Sequence, residues 1–264
     1  MQWLKRLVSK PSESPLDHAE ILTLADEAFR HGDHATALEL WGPLAHAGVA
    51  QAQSGIGACF SDGIGVPRDD GLAVKWLTLA ADAGDAAARR NLAALYFKGQ
   101  GVPTDFDRAA ELYRLSAEAG DAAAQDMLSW MLLEGEVMPF DSMKSQRWAI
   151  AAAEQGVASS MTRLGMIYHN AIGVERDPVQ AAQWWAKAAT AGDADGQAML
   201  GAAYHLGAGV ARDAVRGLAL LVRARNNGSA LADPFIPSAR RSLTAAQIAD
   251  AEQRAESPEL ETVT

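Results

Sequence analysis

The sequence has a single cysteine, no long apolar run and no recognisable leader. Cys59 cannot form a disulfide within the chain, and its place beside Phe60 in an apolar stretch predicts a buried thiol. No stretch of about 18 or more apolar residues occurs, so no transmembrane helix is expected. The N-terminus lacks the apolar segment of a secretory signal. Together these absences predict a cytoplasmic protein.

The chain is also short of basic residues. It has 23 Lys and Arg against 33 Asp and Glu, a net charge of -10. Sequence-independent binding of nucleic acid needs a basic surface that neutralises phosphates, so no nucleic-acid partner is expected. The exception is residues 1–10, where Trp3, Leu4, Leu7 and Val8 are interleaved with basic residues. This segment is a candidate for contact with a membrane surface or a partner groove, against the ordinary fraying of a chain end.

The motifs of common catalytic and cofactor sites are missing. The sequence has no G-x-x-x-x-G-K-[ST] phosphate loop, no H-E-x-x-H zinc motif and no G-x-S-x-G serine elbow. Glycine pairs such as Gly63 and Gly65 follow no predicted strand, and they indicate turns between helices. We therefore expect no enzyme activity, no cofactor and no resident metal.

The sequence does contain a regular repeat. Glycine recurs every 36 residues, at Gly48, Gly84, Gly120, Gly156, Gly192 and Gly228. A fixed period of about 20–50 residues is the signature of stacked repeat units. The ninth position of the five repeats that follow Gly48 is always small: Gly57, Ala93, Ser129, Gly165, Gly201. The twenty-first is always aspartate: Asp69, Asp105, Asp141, Asp177, Asp213.

Each repeat predicts a pair of antiparallel helices. In the second repeat, Ala88, Leu92 and Tyr96 fall on one face at helical spacing. That helix ends in the segment 99–103, where glycines permit positive φ and a proline cannot continue a helix. Asp105 then caps the second helix, because its carboxylate accepts backbone N–H bonds. Asp85, Asp121 and Asp193 are placed to cap first helices in the same way.

The recurring pattern resembles a known family. A-x-A-x-x-x-L-G-x-x-Y-x-x-G-x-G-V-x-x-D-x-x-x-A-x-x-W-x-x-x-A-A-x-x-G is similar to the Sel1-like repeat, a relative of the tetratricopeptide repeat. The resemblance implies an all-α fold, a right-handed α-solenoid of stacked antiparallel helix pairs. Two repeats depart from the pattern. The third has the segment 136–140 in place of G-V-P, which predicts a different loop, and the fourth has Ala171 in place of the first loop glycine.

These patterns divide the chain into segments. Residues 1–15 form a flexible N-terminal segment, and residues 16–48 resemble an ordinary tetratricopeptide helix pair. Residues 49–228 form five repeats, at 49–84, 85–120, 121–156, 157–192 and 193–228. Residues 229–256 form a C-terminal capping region with a helix, and residues 257–264 a disordered tail.

The capping region carries its own helix signals. Residues 233–237 (D-P-F-I-P) predict a turn-rich connector. Thr244 with Gln247 forms a capping-box pattern that opens a helix through about Arg254. Its small and apolar side chains are expected to cover the apolar edge of the last repeat: Ala245, Ile248, Ala249, Ala255.

The resemblance implies a non-enzymatic adaptor or scaffold, a monomer that binds a protein or peptide in its concave groove within a bacterial signalling, assembly or regulatory complex. By analogy with the tetratricopeptide repeat, the groove collects the third, sixth, seventh, tenth, thirteenth and fourteenth positions. The candidate contact residues at these positions are Arg90, Asn91, Phe97, Lys98, Asp126, Trp130, Glu134, Arg163, Met166, His169, Asn170, Met199 and His205. For Trp130, simple packing against the next repeat stays open as another interpretation.

One alternative is an enzyme, or a small-molecule or metal binder, with its site near His169 and His205. Both occupy the thirteenth position of adjacent repeats, so two imidazoles are expected side by side on the inner face. A stable zinc site needs more ligands than two. Groove-lining contacts, or ordinary surface residues, are the other interpretations of this pair.

Overall fold

The computed structural model describes residues 17–257, and the expectations for residues 1–15 and for most of the tail lie outside this range. Within it the chain forms fourteen α-helices and one short 3-10 turn, Ala230–Ala232, with no strand. The helices are α1 His18–Arg30, α2 His34–His46, α3 Ala50–Asp62, α4 Asp70–Asp82, α5 Ala86–Lys98, α6 Phe106–Glu118, α7 Ala122–Glu134, α8 Ser142–Glu154, α9 Ala158–His169, α10 Pro178–Thr190, α11 Ala194–Leu206, α12 Ala214–Asn226, α13 Ile236–Arg241 and α14 Ala245–Glu256.

The chain divides into two compact halves, Met1–Ala119 and Gly120–Thr264. The described part of the N-terminal half contains α1 to α6, and each of these helices packs against the next. The C-terminal half contains α7 to α14, and the helices from α7 to α12 pack in succession in the same way. First helices of neighbouring repeats also touch, as α3 and α5 do. The predicted all-α fold of stacked helix pairs is confirmed.

The repeated aspartates begin the helices as predicted. Asp69 accepts a hydrogen bond from the backbone N–H of Leu72 at 2.9 Å, and the other four aspartates at this position cap their helices likewise. Asp85, Asp121 and Asp193 cap the first helices α5, α7 and α11. The valines that precede α3 and α9 make no such side-chain bond. Within the five repeats, aspartate therefore defines the start of every second helix and of three first helices.

The loops within the repeats depend on left-handed backbone. A Cβ at Gly101 would collide with the backbone carbonyl of Asp70, at the start of the preceding repeat's second helix. In the third repeat, Gly135 is left-handed but Val137 stands where other repeats have the second left-handed glycine. Val137 does not have positive φ, so the predicted change of loop shape is confirmed. Ala171 keeps the left-handed conformation, with φ 58°, although it carries a side chain.

The small ninth position makes room for a large residue of the second helix. A Cβ at Gly57 would lie 2.7 Å from Cγ of Leu77, and one at Gly201 would lie 2.9 Å from Cγ of Leu221. In the fourth repeat, a Cβ at Gly165 would collide with the indole of Trp185, which is buried. The two helices of each pair can approach closely because one of them lacks a side chain at the contact.

The C-terminal region caps the last repeat. Leu218 and Leu221 of α12 pack in one buried cluster with residues of the capping region: Ala232, Ile236, Ala239, Ala251, Ala255. The capping box of Thr244 and Gln247 is present and opens α14 as predicted. Arg223 closes the other end of α14, where it donates to the carbonyls of Arg254, Ala255 and Ser257.

Two details of the capping prediction were wrong. Ala245 and Ala249 are exposed, and Ala251 is the buried small residue instead, because the helix face that meets α12 is rotated from the one expected. The connector is turn-rich over residues 233–235 as predicted, but Ile236 already begins the short helix α13, with Pro237 in its first turn. Proline is favoured there because its missing N–H would have no partner at a helix start.

Candidate partner-binding groove

A cavity of about 190 Å³ lies between the first helices of the first two repeats, in the N-terminal half. Helices α3 and α5 form two of its walls, and the loops that follow them close its end. Its lining residues are Ala58, Ser61, Asp62, Arg68, Asn91, Ala94, Leu95, Lys98 and Gln100. Asn91 and Lys98 were predicted as groove contacts, and the structure brings them together here. We refer to this space as the α3–α5 cavity.

The polar groups of the α3–α5 cavity differ in how far they are already paired. Arg68 binds the carboxylate of Asp70 through Nε at 2.8 Å and Nη2 at 3.2 Å, a contact that raises the pKa of Arg68. Asn91 Oδ1 accepts from Nε and Nη2 of Arg90, both at 3.2 Å. The side chains of Asp62 and Lys98 make no hydrogen bond or ion pair within residues 17–257, although the charge of Asp62 contributes to the raised pKa of Arg68. The cavity thus offers one carboxylate and one ammonium to a ligand.

Phe97 lies on the same helix as Lys98 and has a partner within its own repeat. Its ring packs edge-on against Phe106, with centroids 5.3 Å apart and an interplanar angle of 68°. Phe106 is exposed, so the pair forms an apolar spot at the start of α6. Phe97 is half-buried.

In the C-terminal half, Asp126 and Arg163 pair with each other. Arg163 Nη1 donates to the carboxylate and to the backbone carbonyl of Asp126, and the hydroxyls of Ser159 and Ser160 donate to the same carboxylate. The two side chains are only 21% and 13% exposed for Asp126 and Arg163. Their charges are thus already paired within the chain, and their contact with a partner stays a prediction. They tie the first helices of the third and fourth repeats together.

The other predicted contacts in this half differ in exposure. Glu134 and Asn170 are exposed, and Trp130 is half-buried. Met166 and Met199 are partly buried against a cluster that includes Trp185. Methionine at these positions therefore contributes to the core as well as to the inner surface.

His169 and His205 do not form the converging pair that the sequence suggested. The His169 ring packs against Trp185 with centroids 5.3 Å apart, and burial lowers its pKa. His205 is only 8% exposed, and its Nε2 lies 3.2 Å from Oγ of Ser238. That hydroxyl donates to the carbonyl of Phe235, so it accepts from the imidazole.

The capping region therefore covers His205, which corrects its assignment to the open groove. Repeat position alone does not reveal this, because the covering helix α13 lies outside the repeats. In the described part of the chain no three His, Cys, Asp or Glu side chains are grouped to hold a metal ion.

Cys59 lies beneath the cavity wall on α3 and is buried, as predicted. Burial, followed by the charge of Asp62, raises the pKa of the thiol to about 11. A thiol with this pKa stays protonated near neutral pH and is a poor nucleophile. Among the helices of residues 17–257, none is both long and apolar enough to span a membrane.

The repeats match a known sequence family. The Sel1 repeat model matches residues 50–85, 86–121, 122–157, 158–193 and 194–229, and so covers most of the chain. The chain belongs to the Sel1 repeat family. Its matched repeats begin one residue later than the division drawn from the glycines. None of the curated proteins compared with this chain matches it.

Solved structures of Sel1 repeat proteins are similar to this chain. One is c5321, a protective antigen present in uropathogenic Escherichia coli strains, at 29% identity and a TM-score of 0.76 over 90% of this chain and 52% of c5321. The chain thus spans about half the length of c5321. A Sel1 repeat protein from Oxalobacter formigenes is 28% identical, with a TM-score of 0.77, over 89% of this chain and 96% of its own.

A third structure, a putative Sel1 repeat protein from Klebsiella pneumoniae subsp. pneumoniae, supports the fold alone. It is 20% identical, with a TM-score of 0.50, over 76% of this chain and 97% of its own.

Sequence reasoning missed four polar residues of the α3–α5 cavity: Ser61, Asp62, Arg68 and Gln100. Ser61 and Asp62 occupy the thirteenth and fourteenth positions of the first Sel1 repeat, so the same positional rule, applied one repeat earlier, finds them. Arg68 and Gln100 lie in the loops after the helices. No positional rule for the first helix reaches them.

Proposed function

We propose that this protein is a non-enzymatic scaffold that binds a partner protein or peptide along the inner face of its first helices. Sel1 repeat proteins are generally protein-interaction scaffolds. The observation that carries the proposal is the α3–α5 cavity, where Asp62 and Lys98 have no partner within residues 17–257. We further propose that the protein acts as a cytoplasmic monomer in a bacterial signalling, assembly or regulatory complex.

The size of the cavity favours a polypeptide over a cofactor. Pockets for small molecules and cofactors measure about 300–1,000 Å³. The α3–α5 cavity measures about 190 Å³, which suits a short part of a longer chain. Such a segment gains the rest of its affinity from contacts with neighbouring helices of the N-terminal half, where the exposed Phe106 and its partner Phe97 form an apolar spot.

Site-specific cross-linking tests the proposal. A diazirine side chain replaces Gln100, which lines the cavity, or Lys75, which is exposed on the second helix α4. Each full-length variant is irradiated in a lysate of the organism that carries the gene, and its adducts are identified by mass spectrometry. We expect one protein to be attached in stoichiometric amount through position 100 and to be absent at position 75. Equal labelling at both positions, or no protein adduct at position 100, would contradict the proposal.

A further inference from the structure

The hydrogen-bonding roles of the cavity side chains are set by their surroundings. Arg90 donates twice to Oδ1 of Asn91, which fixes the orientation of that amide and leaves its Nδ2 group as a donor. Lys98 can only donate, and the carboxylate of Asp62 can only accept when ionised. These three side chains present two donors on the α5 wall and one acceptor on the α3 wall, and Ser61 and Gln100 can each donate or accept.

These roles disfavour a charged side chain as the ligand. A carboxylate would meet the donors of Asn91 and Lys98, but it would also face Asp62, which lines the same cavity. An ammonium or guanidinium group would meet Asp62 but face Lys98, while the charge of Arg68 is already paired with Asp70. Two like charges at close range repel each other, so a ligand group of either sign would gain one attraction and suffer one repulsion in this cavity.

A peptide main chain fits the same groups without such a conflict. Each residue other than proline offers one carbonyl acceptor and one N–H donor. Packed helices lie about 8–10 Å apart, a distance that about three extended residues cover. The carbonyls can accept from Asn91 and Lys98 while an N–H donates to Asp62. The apolar part of the wall consists of Ala58, Ala94 and the buried Leu95, which leaves room for small side chains.

From these observations we infer that the α3–α5 cavity recognises the main chain of an extended, uncharged partner segment with small side chains. This inference rests on the proposed scaffold function and names the kind of segment that the scaffold accepts. Specificity for one partner then comes from residues that flank the segment, and the cavity itself tolerates changes among glycine, alanine and serine.

The probe for this inference is a capped peptide, acetyl-Gly-Ala-Ser-Ala-Gly-amide, titrated into the isotope-labelled full-length protein and followed by NMR. We expect saturable shifts of the Asn91 side-chain amide. A peptide N-methylated at both alanines lacks two N–H donors and should bind at least tenfold more weakly. Peptides with glutamate or lysine in place of serine should bind no more tightly than the parent.

A matched pair of protein variants tests the donor. Asn91→Asp replaces the amide donor with an acceptor of similar shape, and we expect at least tenfold weaker binding of the parent peptide. Gln183→Glu makes the same kind of change on the exposed face of α10 and should leave the affinity unchanged. Circular dichroism of both variants confirms that the helices are retained.

The inference is overturned if the parent peptide leaves the Asn91 amide unshifted, if N-methylation has no effect, or if either charged peptide binds most tightly. If cross-linking through position 100 is retained in that case, only main-chain recognition is contradicted, and the proposed scaffold function is not. If the peptide causes no shifts and no protein is cross-linked through position 100, the proposed function is contradicted as well.

Discussion

At the scale of single residues, backbone conformation decides which side chains the loops accept. Ala171 is the single residue other than glycine with positive φ in residues 17–257. A side chain in the left-handed region costs about 1–2 kcal/mol. The other repeats avoid this cost with glycine, as at Gly63 and Gly207. In the fourth repeat, backbone hydrogen bonds hold the loop, from Ile172 N–H to the carbonyl of Ile167 and from Asp177 N–H to the carbonyl of Tyr168, both at 3.0 Å.

Replacing Ala171 with glycine should therefore stabilise the protein. Relief of the left-handed strain outweighs the greater freedom of glycine in the unfolded chain, which costs about 0.4–1 kcal/mol. We expect a net gain of about 0.5–1 kcal/mol in the free energy of unfolding, measured by chemical denaturation. Ala208→Gly, in the next repeat's loop at a position without positive φ, is the control and should give no gain. Equal effects of the two changes would mean that Ala171 is not strained.

Burial of His205 makes stability depend on pH. Burial, followed by the charge of Arg212, lowers the pKa of His205 below its ordinary value of 6.5. The unfolded state then binds more protons than the folded state as pH falls through and below 6.5, so stability decreases on acidification. The other charged groups on the two helices that follow are Arg216, Arg223 and Arg225 on α12 and Arg240 and Arg241 on α13.

The variant His205→Gln should reduce this loss of stability between neutral and acidic pH. Glutamine has no proton to gain, and its amide can still donate to Ser238. The measurement is the urea midpoint of wild type and variant at a series of pH values below 7. If the urea midpoints of the two proteins fall by the same amount as the pH is lowered, His205 contributes nothing to the acid sensitivity.

At the scale of helices, the capping region protects the apolar edge of the last repeat. Ala251 of α14 is fully buried in the cluster around Leu218, whereas Ala249 on the same helix is exposed. A terminal unit with a polar outer face keeps a repeat array soluble. Helix α14 supplies that face here.

Ala251→Arg should therefore detach α14 and expose the apolar surface of α12. We expect self-association, detected by light scattering, with most of the helical signal in circular dichroism retained. Ala249→Arg adds the same charge on the solvent side of α14 and should leave the protein unassociated. If Ala251→Arg stays monodisperse, α14 is not what shields this edge.

The positions of the helices could be predicted from the sequence within the repeats, but the packing of the helices that follow the last repeat could not. The aspartate caps and glycine ends recur in register, and local hydrogen bonding fixes their conformation, so Asp105 and Gly99 could be assigned without a structure. The face of α14 that packs on α12 has no repeated counterpart, and the sequence led to Ala249 instead of Ala251. Repeat position predicts that Arg163 lines the groove, but its pairing with Asp126 depends on side-chain geometry between two repeats, which the sequence does not reveal.

At the scale of the whole molecule, repetition places equivalent residues side by side, and the sequence differences decide which of them are open to a partner. In the third and fourth repeats, Asp126 and Arg163 pair with each other, whereas Glu134 is exposed. In the first and second repeats Asp62 and Lys98 make no ion pair within residues 17–257, and a cavity lies beside them. We therefore assign partner binding to the first two Sel1 repeats.

The most direct test is a calorimetric titration of the partner captured through position 100. The double variant Asn91→Asp/Lys98→Glu alters the α3–α5 cavity, and Lys75→Glu/Gln183→Glu makes the same change of charge on exposed second helices. We expect the first to weaken binding about 30-fold, about 2 kcal/mol and the scale of an interface hot spot. The second should keep the wild-type affinity. Equal dissociation constants for the two double variants would contradict the assignment of partner binding to this cavity.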